Sequence, residues 1–204
     1  MLRRAFITAL ALFAFGLVTC RGQNTYDEEA DRLAALLNWQ PGSVVADVGA
    51  GDGQLTLAVA KREGTAGKVY STELDAKKLA HLEDLAEKDR RIIVRKAGET
   101  ETNLPPECCD SILMRRVYHH LTKPADMDAS LFRSLKPGGL LAVIDQEPHP
   151  GSSIPEGVPQ NRGGHGIPQK LLVEELRAAG FQVVTVPDDW PNKNYCVVFR
   201  RPVP

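Results

Sequence analysis

Two kinds of apolar pattern alternate along this chain. Short runs rich in β-branched residues fall near 43–48, 68–73, 91–97, 109–115, 139–145, 181–186 and 194–200, and their length and composition predict strands. Between them, at 26–39, 53–63, 75–88, 124–136 and 168–179, apolar residues recur three and four apart, the spacing of helices with one buried face. In YDEEADRLAALLNW (26–39), Ala30, Leu33, Leu36 and Leu37 share a face, and Asp27 and Glu28 occupy the first turn, where they favour the helix dipole. Strand–helix alternation predicts an α/β protein with a doubly wound, mostly parallel sheet of seven strands and helices on both faces. The last two strands are joined through PDDWPNKN without a helix. That hairpin-length connection predicts an antiparallel last strand.

Two stretches depart from this alternation. PHPGSSIPEGVPQNRGGHGIP (148–168) carries five prolines and five glycines and starts where the fifth strand ends. Ligands of open α/β sheets sit beyond the carboxyl ends of the strands, so a loop of this length is expected to act as a lid. At the other extreme, MLRRAFITALALFAFGLVTCRGQ has two arginines near its start, Arg3 and Arg4, then an uncharged run from Ala5 to Cys20 and a polar exit. Residues 1–22 are therefore expected to be a signal peptide or membrane anchor, with the globular part spanning 24–204 exported or membrane-anchored, an inverted anchor that leaves it on the cytoplasmic face being the alternative. Leu17-Val18-Thr19-Cys20 resembles a bacterial lipobox, in which Cys20 would be lipidated, although Thr19 stands where Gly, Ala or Ser is usual.

The most informative segment is VVADVGAGDGQ (44–54). A buried strand runs into glycines at 49, 51 and 53, and the helical pattern QLTLAVAKRE follows. A strand, a glycine turn and a helix N-terminus together make a nucleotide-binding device. The dinucleotide fingerprint is G-x-G-x-x-G, but here the third glycine comes one residue early and Gln54 takes its place. G-x-G-x-G with an acid two residues upstream resembles motif I of the class I S-adenosylmethionine (SAM) methyltransferases. KVYSTELD (68–75) is similar to that family's second strand with its terminal acid. RIIVRKAGETETNLPPECCDSILMRRVYHHLTKP (91–124) is similar to its third and fourth strands. LFRSLKPGGLLAVID (131–145) and VEELRAAGFQVV (173–184) resemble its last helices and strands, with the L-K-P-G-G and A-G-F turns. The chain thus resembles a methyltransferase domain of the type 11/25 kind over residues 26–201, which implies a Rossmann-like fold.

The resemblance implies a set of site residues. Gly49, Ala50, Gly51 and Gly53 would let SAM lie on the backbone, and Asp47 would hold its amino-acid part or brace the turn. Glu73, with Leu74 beside it, would accept the ribose hydroxyls, since a carboxylate offers two acceptor oxygens. Gly98 and Glu99 would approach the adenine. Tyr118, His119 and His120 follow the fourth strand, where the family lines its acceptor pocket. Tyr118 and His119 are the catalytic candidates there, His119 as general base, and His120 the structural member of the pair. His165, on the expected lid, is a second base candidate. Arg115 and Arg116 depart from the family pattern, and Arg116 would bind the SAM carboxylate or an anionic acceptor. Asp145 could join His119 and His165, but no short ligand spacing marks a metal, and no metal is expected.

Composition narrows the function. Of 204 residues, 43% are hydrophobic and 25% charged, enough for one domain with a sizeable core. A net charge of −1 gives no basis for a nucleic-acid partner. Vicinal Cys108 and Cys109 cannot easily bridge each other, no C-x-x-C occurs, and Cys109 and Cys196 are expected in the core. The expected activity is methyl transfer from SAM to a small-molecule acceptor. Two alternatives stand beside it: an exported, non-catalytic SAM- or nucleotide-binding domain on the same fold, and an NAD(P)-binding oxidoreductase, which the missing glycine at 54 opposes.

Overall fold

The computed structural model describes residues 25–62 and 67–204; the expected signal or anchor at 1–22, with its lipobox, lies outside them. Seven strands form one sheet in the order β3-β2-β1-β4-β5-β7-β6. They are β1 (Val44–Val48), β2 (Lys68–Glu73), β3 (Ile92–Lys96), β4 (Cys109–Arg115), β5 (Leu135–Gln146), β6 (Gln182–Thr185) and β7 (Asn194–Arg200). The pairs among β1 to β5 are parallel. β7 alone is reversed, antiparallel to both β5 and β6. Among the described residues the α-helices are α1 (Thr25–Leu36), α2 (Gln54–Lys61), α3 (Ala76–Lys88), α4 (Pro124–Ser134) and α5 (Gln169–Ala178).

Period-two alternation on the central strands builds two cores. Ala46, Ile112, Met114, Leu141 and Val143 face α4 and α5, meeting Met127, Leu131, Leu172 and Leu176. Val45, Leu113, Ala142 and Ile144 face the other way, meeting Leu33 of α1 and Leu55 and Val59 of α2. Both layers are apolar because a parallel sheet is covered on both faces. Cys109 and Cys196 are fully buried within these cores.

The structure departs from the sequence reading at β5 and in the long loop. β5 begins at Leu135 rather than 139, because Leu135 pairs with Cys109 before the register shifts and Leu140 pairs with Ser111. Pro137 and Gly138, which read as a turn, occupy this irregularity in the strand. Segment 148–168 is docked against the body, and none of its residues lines the main cavity. Arg162 is fully buried, donates to Glu175 Oε2 at 2.7 Å and lies over the Tyr118 ring at 5.7 Å. Ile167 N–H donates to the Gln146 carbonyl and Tyr195 Oη to that of Ile167. A charge buried this deeply needs its partner, so the loop is pinned where a free lid was expected.

Removing one member of a buried ion pair strands the other charge. Arg162→Ala is expected to destabilise the protein by about 3 kcal/mol in urea denaturation and to expose 148–168 to limited proteolysis. An unchanged denaturation midpoint would show that Arg162 does not hold the loop.

Candidate active site

The carboxyl ends of β1 to β4 surround a cavity of about 570 Å³, within the range of small-molecule sites. It lies where β1 and β4 are neighbours and the strand order reverses, the place where open α/β sheets bind ligands. Its front edge is the glycine turn between β1 and α2. The N–H groups of Gly49 and Ala50 both donate to the Thr72 carbonyl, at 3.0 and 2.9 Å, which joins the turn to β2.

The three glycines serve different purposes. A Cβ on Gly49 would lie 2.5 Å from Val117 Cγ2, and one on Gly53 would lie 2.7 Å from Leu85 Cδ1. These two are required by packing. Gly51 has φ +61°, and a Cβ there would meet nothing within 4 Å. It faces the open cavity, so its bare backbone is the surface on which a ligand can lie.

Glu73, at the end of β2, is only 8% exposed. Its Oε2 accepts from Gly51 N–H at 2.9 Å, and its Oε1 accepts from Leu74 and Asp75 N–H at 2.8 and 3.1 Å. A carboxylate has about four lone-pair sites, and three are in use here. The residue expected to take ribose hydroxyls therefore also holds the glycine turn. Leu74 is 50% exposed beside it, and Ala97, Gly98 and Glu99 continue the wall beyond β3.

Asp47 faces α2 beneath the turn and accepts from Thr56 Oγ1 at 2.7 Å. Burial pushes its carboxyl up to about 6, although the Thr56 hydrogen bond and the Arg115 charge pull the other way. Arg115 donates from Nε to Glu29 Oε2 at 2.6 Å and lies over the Tyr26 ring at 4.9 Å. Glu29 Oε1 in turn accepts from Trp190 Nε1 at 3.1 Å. Tyr26, Glu29 and the placement of Arg115 were not anticipated from sequence. The available signal was Glu29 itself, a charge four residues before Leu33 on the buried face of α1. Arg116 is exposed at the cavity edge, with φ +54°, and donates from Nη2 to Gln146 Oε1 at 2.9 Å.

The acceptor-side candidates are rearranged. Tyr118 is fully buried and does not line the cavity. Its hydroxyl lies between Asp128 and Glu175, at 2.9 and 3.1 Å. Burial and these two acids hold its proton far more tightly than an ordinary phenol's. His119 is 1% exposed and packs behind the cavity wall, with Nδ1 on Asp145 Oδ1 at 2.7 Å. His120, read as the structural histidine, is the one that lines the cavity. Burial and the neighbouring His119 and His165 lower its pKa to about 4. His165 does not line the cavity, but its ring lies 5.2 Å from that of His120. The reason is the backbone: Tyr118–His120 form one 3₁₀ turn, which aims consecutive side chains in different directions.

A glycine turn with one open glycine, a terminal acid on β2 and a cavity at the strand-order reversal define a Rossmann-like nucleotide-cofactor site. A family model described as a methyltransferase domain matches residues 46–143. Over that stretch, just under half of its length, the chain is similar to the class I SAM-dependent methyltransferases, a family whose cofactor is SAM. Erythromycin 3''-O-methyltransferase from Saccharopolyspora erythraea is 26% identical over 184 residues, covering 82% of this chain. The chain spans 60% of that relative's length. A solved SAM-dependent methyltransferase from Aquifex aeolicus matches with TM-score 0.66 and 24% identity, over 84% of this chain and 88% of that one. The [4+2]-cyclase SpnF shares the fold at TM-score 0.70 and 19% identity, over 87% of this chain and 82% of that one. The residues described here fit the cofactor: Gly51 leaves its front clear, and Glu73 retains a free lone-pair site beside it.

Two substitutions test this arrangement. Glu73→Gln puts an amide against backbone donors, so SAM affinity in calorimetry should fall at least tenfold and stability should drop by about 1–3 kcal/mol. A solvated acid would change neither. For Asp47, the folded pKa lies above the unfolded one, so its ionisation favours unfolding as pH rises through about 4 to 6. Asp47→Asn should therefore stabilise the fold by about 1–3 kcal/mol more at pH 8 than at pH 4. Melting curves that shift equally at both pH values would contradict a buried, raised carboxyl.

Proposed function

We propose that this domain transfers the methyl group of SAM to a small-molecule acceptor. The observation that carries the reading is the open face of Gly51 beside the Glu73 carboxylate at one end of a single cavity, which runs on to His120, Thr122 and Met127. The cofactor, when bound, supplies a methyl already activated on a sulfonium. The chain's share of the work is then positioning and exclusion of water. Gly49 to Gly53 and Glu73 hold the nucleoside end, while Leu74 and Gly98 supply apolar surface and bare backbone at its flank. Asp47 and the Glu29-anchored Arg115 offer opposite charges for the two charged groups of an amino-acid moiety. Val117, Leu121 and Met127 enclose the far end, where His120 and Thr122 are polar groups. The 3''-O-methyltransferase relative supports a small-molecule acceptor.

A second reading is a domain that binds SAM without transferring its methyl, since the same fold is found in a [4+2]-cyclase. Transfer of label from methyl-labelled SAM, scored against a panel of hydroxyl, amine and thiol acceptors, separates the two. Gly51→Ala should abolish both binding and transfer while leaving the fold intact, because the new methyl fills the ligand's space. Tight SAM binding with no labelled product from any acceptor class would favour the second reading.

The expected role of residues 1–22 as an export signal or anchor, with lipid on Cys20, is also proposed. Among the described residues no helix is long and apolar enough to cross a membrane, so attachment rests on that segment. Cell fractionation with mass spectrometry of the N-terminus checks it, and a soluble cytoplasmic chain retaining Met1 would refute it.

A further inference from the structure

Three histidines converge where the 3₁₀ turn after β4 meets the docked loop. The ring centroids of His119 and His120 are 4.1 Å apart, those of His119 and His165 4.6 Å, and those of His120 and His165 5.2 Å. One ring nitrogen from each can be chosen so that all three lie within 4.8 Å of one another. Nitrogens sharing one ion at about 2.1 Å stand about 3.4 Å apart in tetrahedral geometry. Closing that difference takes small rotations of His120, which is exposed, and His165, which is half-buried.

A second observation points at a ligand. Asp145 is fully buried and receives three donors: Gln146 N–H at 2.8 Å, His119 N–H at 3.2 Å and the His119 ring at 2.7 Å. A carboxylate so loaded accepts a hydrogen bond from His119 Nδ1–H, which leaves the lone pair on Nε2. That Nε2 is buried and has no hydrogen-bond partner. A buried acceptor without a donor is a cost that folded proteins avoid. A carboxylate that fixes a histidine tautomer, with the other nitrogen left to bind, is the arrangement by which proteins orient metal-ligating histidines.

We infer that His119, His120 and His165 form a binding site for a divalent transition-metal ion of the zinc class, with Asp145 as the positioning residue behind His119. Three neutral imidazoles suit such an ion, whereas magnesium and calcium prefer oxygen. Three protein ligands leave a coordination position for water or a ligand atom. His120 also lines the cavity, so the ion would sit in the cavity wall. Ion binding here does not presuppose methyl transfer, although His120 is shared with the cavity: the site could hold an ion in a protein that methylates nothing.

The test uses the full chain, stripped with a chelator, dialysed and titrated with cobalt(II) and zinc(II). The expected result is one cobalt per chain with visible d–d bands of low coordination number, displaced by zinc. The double substitution His120→Ala/His165→Ala should abolish the bands while leaving the circular dichroism unchanged, since neither ring is in the core. Asp145→Asn should weaken zinc about 10–100-fold with all three ligands still present. Absence of a stoichiometric complex would overturn the site. So would an ion that survives the double substitution and is therefore held elsewhere, for example by His81 or His149.

Discussion

The carboxylate of Glu73 is the point on which the site depends. It ends β2, yet it accepts from Gly51 on the turn after β1 and from Leu74 and Asp75 in its own connection to α3. Backbone N–H groups at a glycine turn have no intrinsic partner, and buried donors must find one. Glu73 satisfies one of them, Gly51, together with two donors in its own connection, and so fixes the turn relative to the neighbouring strand. With the turn fixed, Gly51 faces the cavity while Gly49 and Gly53 close against Val117 and Leu85. The side chain expected to meet the cofactor therefore also governs the local fold.

A second anchor closes the cavity from α1. Glu29 is 5% exposed and is shared between Arg115 and Trp190, which ties the first helix, the end of β4 and the segment before β7 to one carboxylate. Charges buried like these contribute little net stability, because desolvation offsets their attraction. They do enforce one arrangement, since any other leaves a charge unpaired. Here that arrangement brings Tyr26 to the cavity and sets a cation near the buried acid Asp47.

The acceptor side is organised by the turn Tyr118–His120 and by the docked loop. Tyr118 joins the core through Asp128, Glu175 and the Arg162 cation, whereas His119 reaches back to Asp145. His120 alone of the three faces the cavity. The buried Arg162 also sets where His165 stands, since it pins the loop that carries it. Packing on one face of the sheet thus determines which polar groups meet at the other end of the site.

The strand and helix order, the seven-stranded sheet with a reversed last strand and the cavity wall from Gly49 to Glu99 were legible in the sequence. Local signals encode them: β-branched runs, helical periodicity, a glycine turn and an acid at a strand end. Asp47, Glu73 and Glu99 could be placed because each lies at or just beyond the end of a strand that the pattern marks. The division of labour among Tyr118, His119 and His120 was not legible, because consecutive residues in a 3₁₀ turn carry no periodic signal for which one faces a cavity. Nor could the sequence pair Glu29 with Arg115, 86 positions apart, or decide whether His165 meets His119, a convergence it only allowed. Those meetings follow from how the helices and the loop settle on the sheet. The physical reason is range: backbone preference and hydrophobic period act over a few residues, whereas hydrogen bonds and ion pairs between distant segments exist only once the chain has folded.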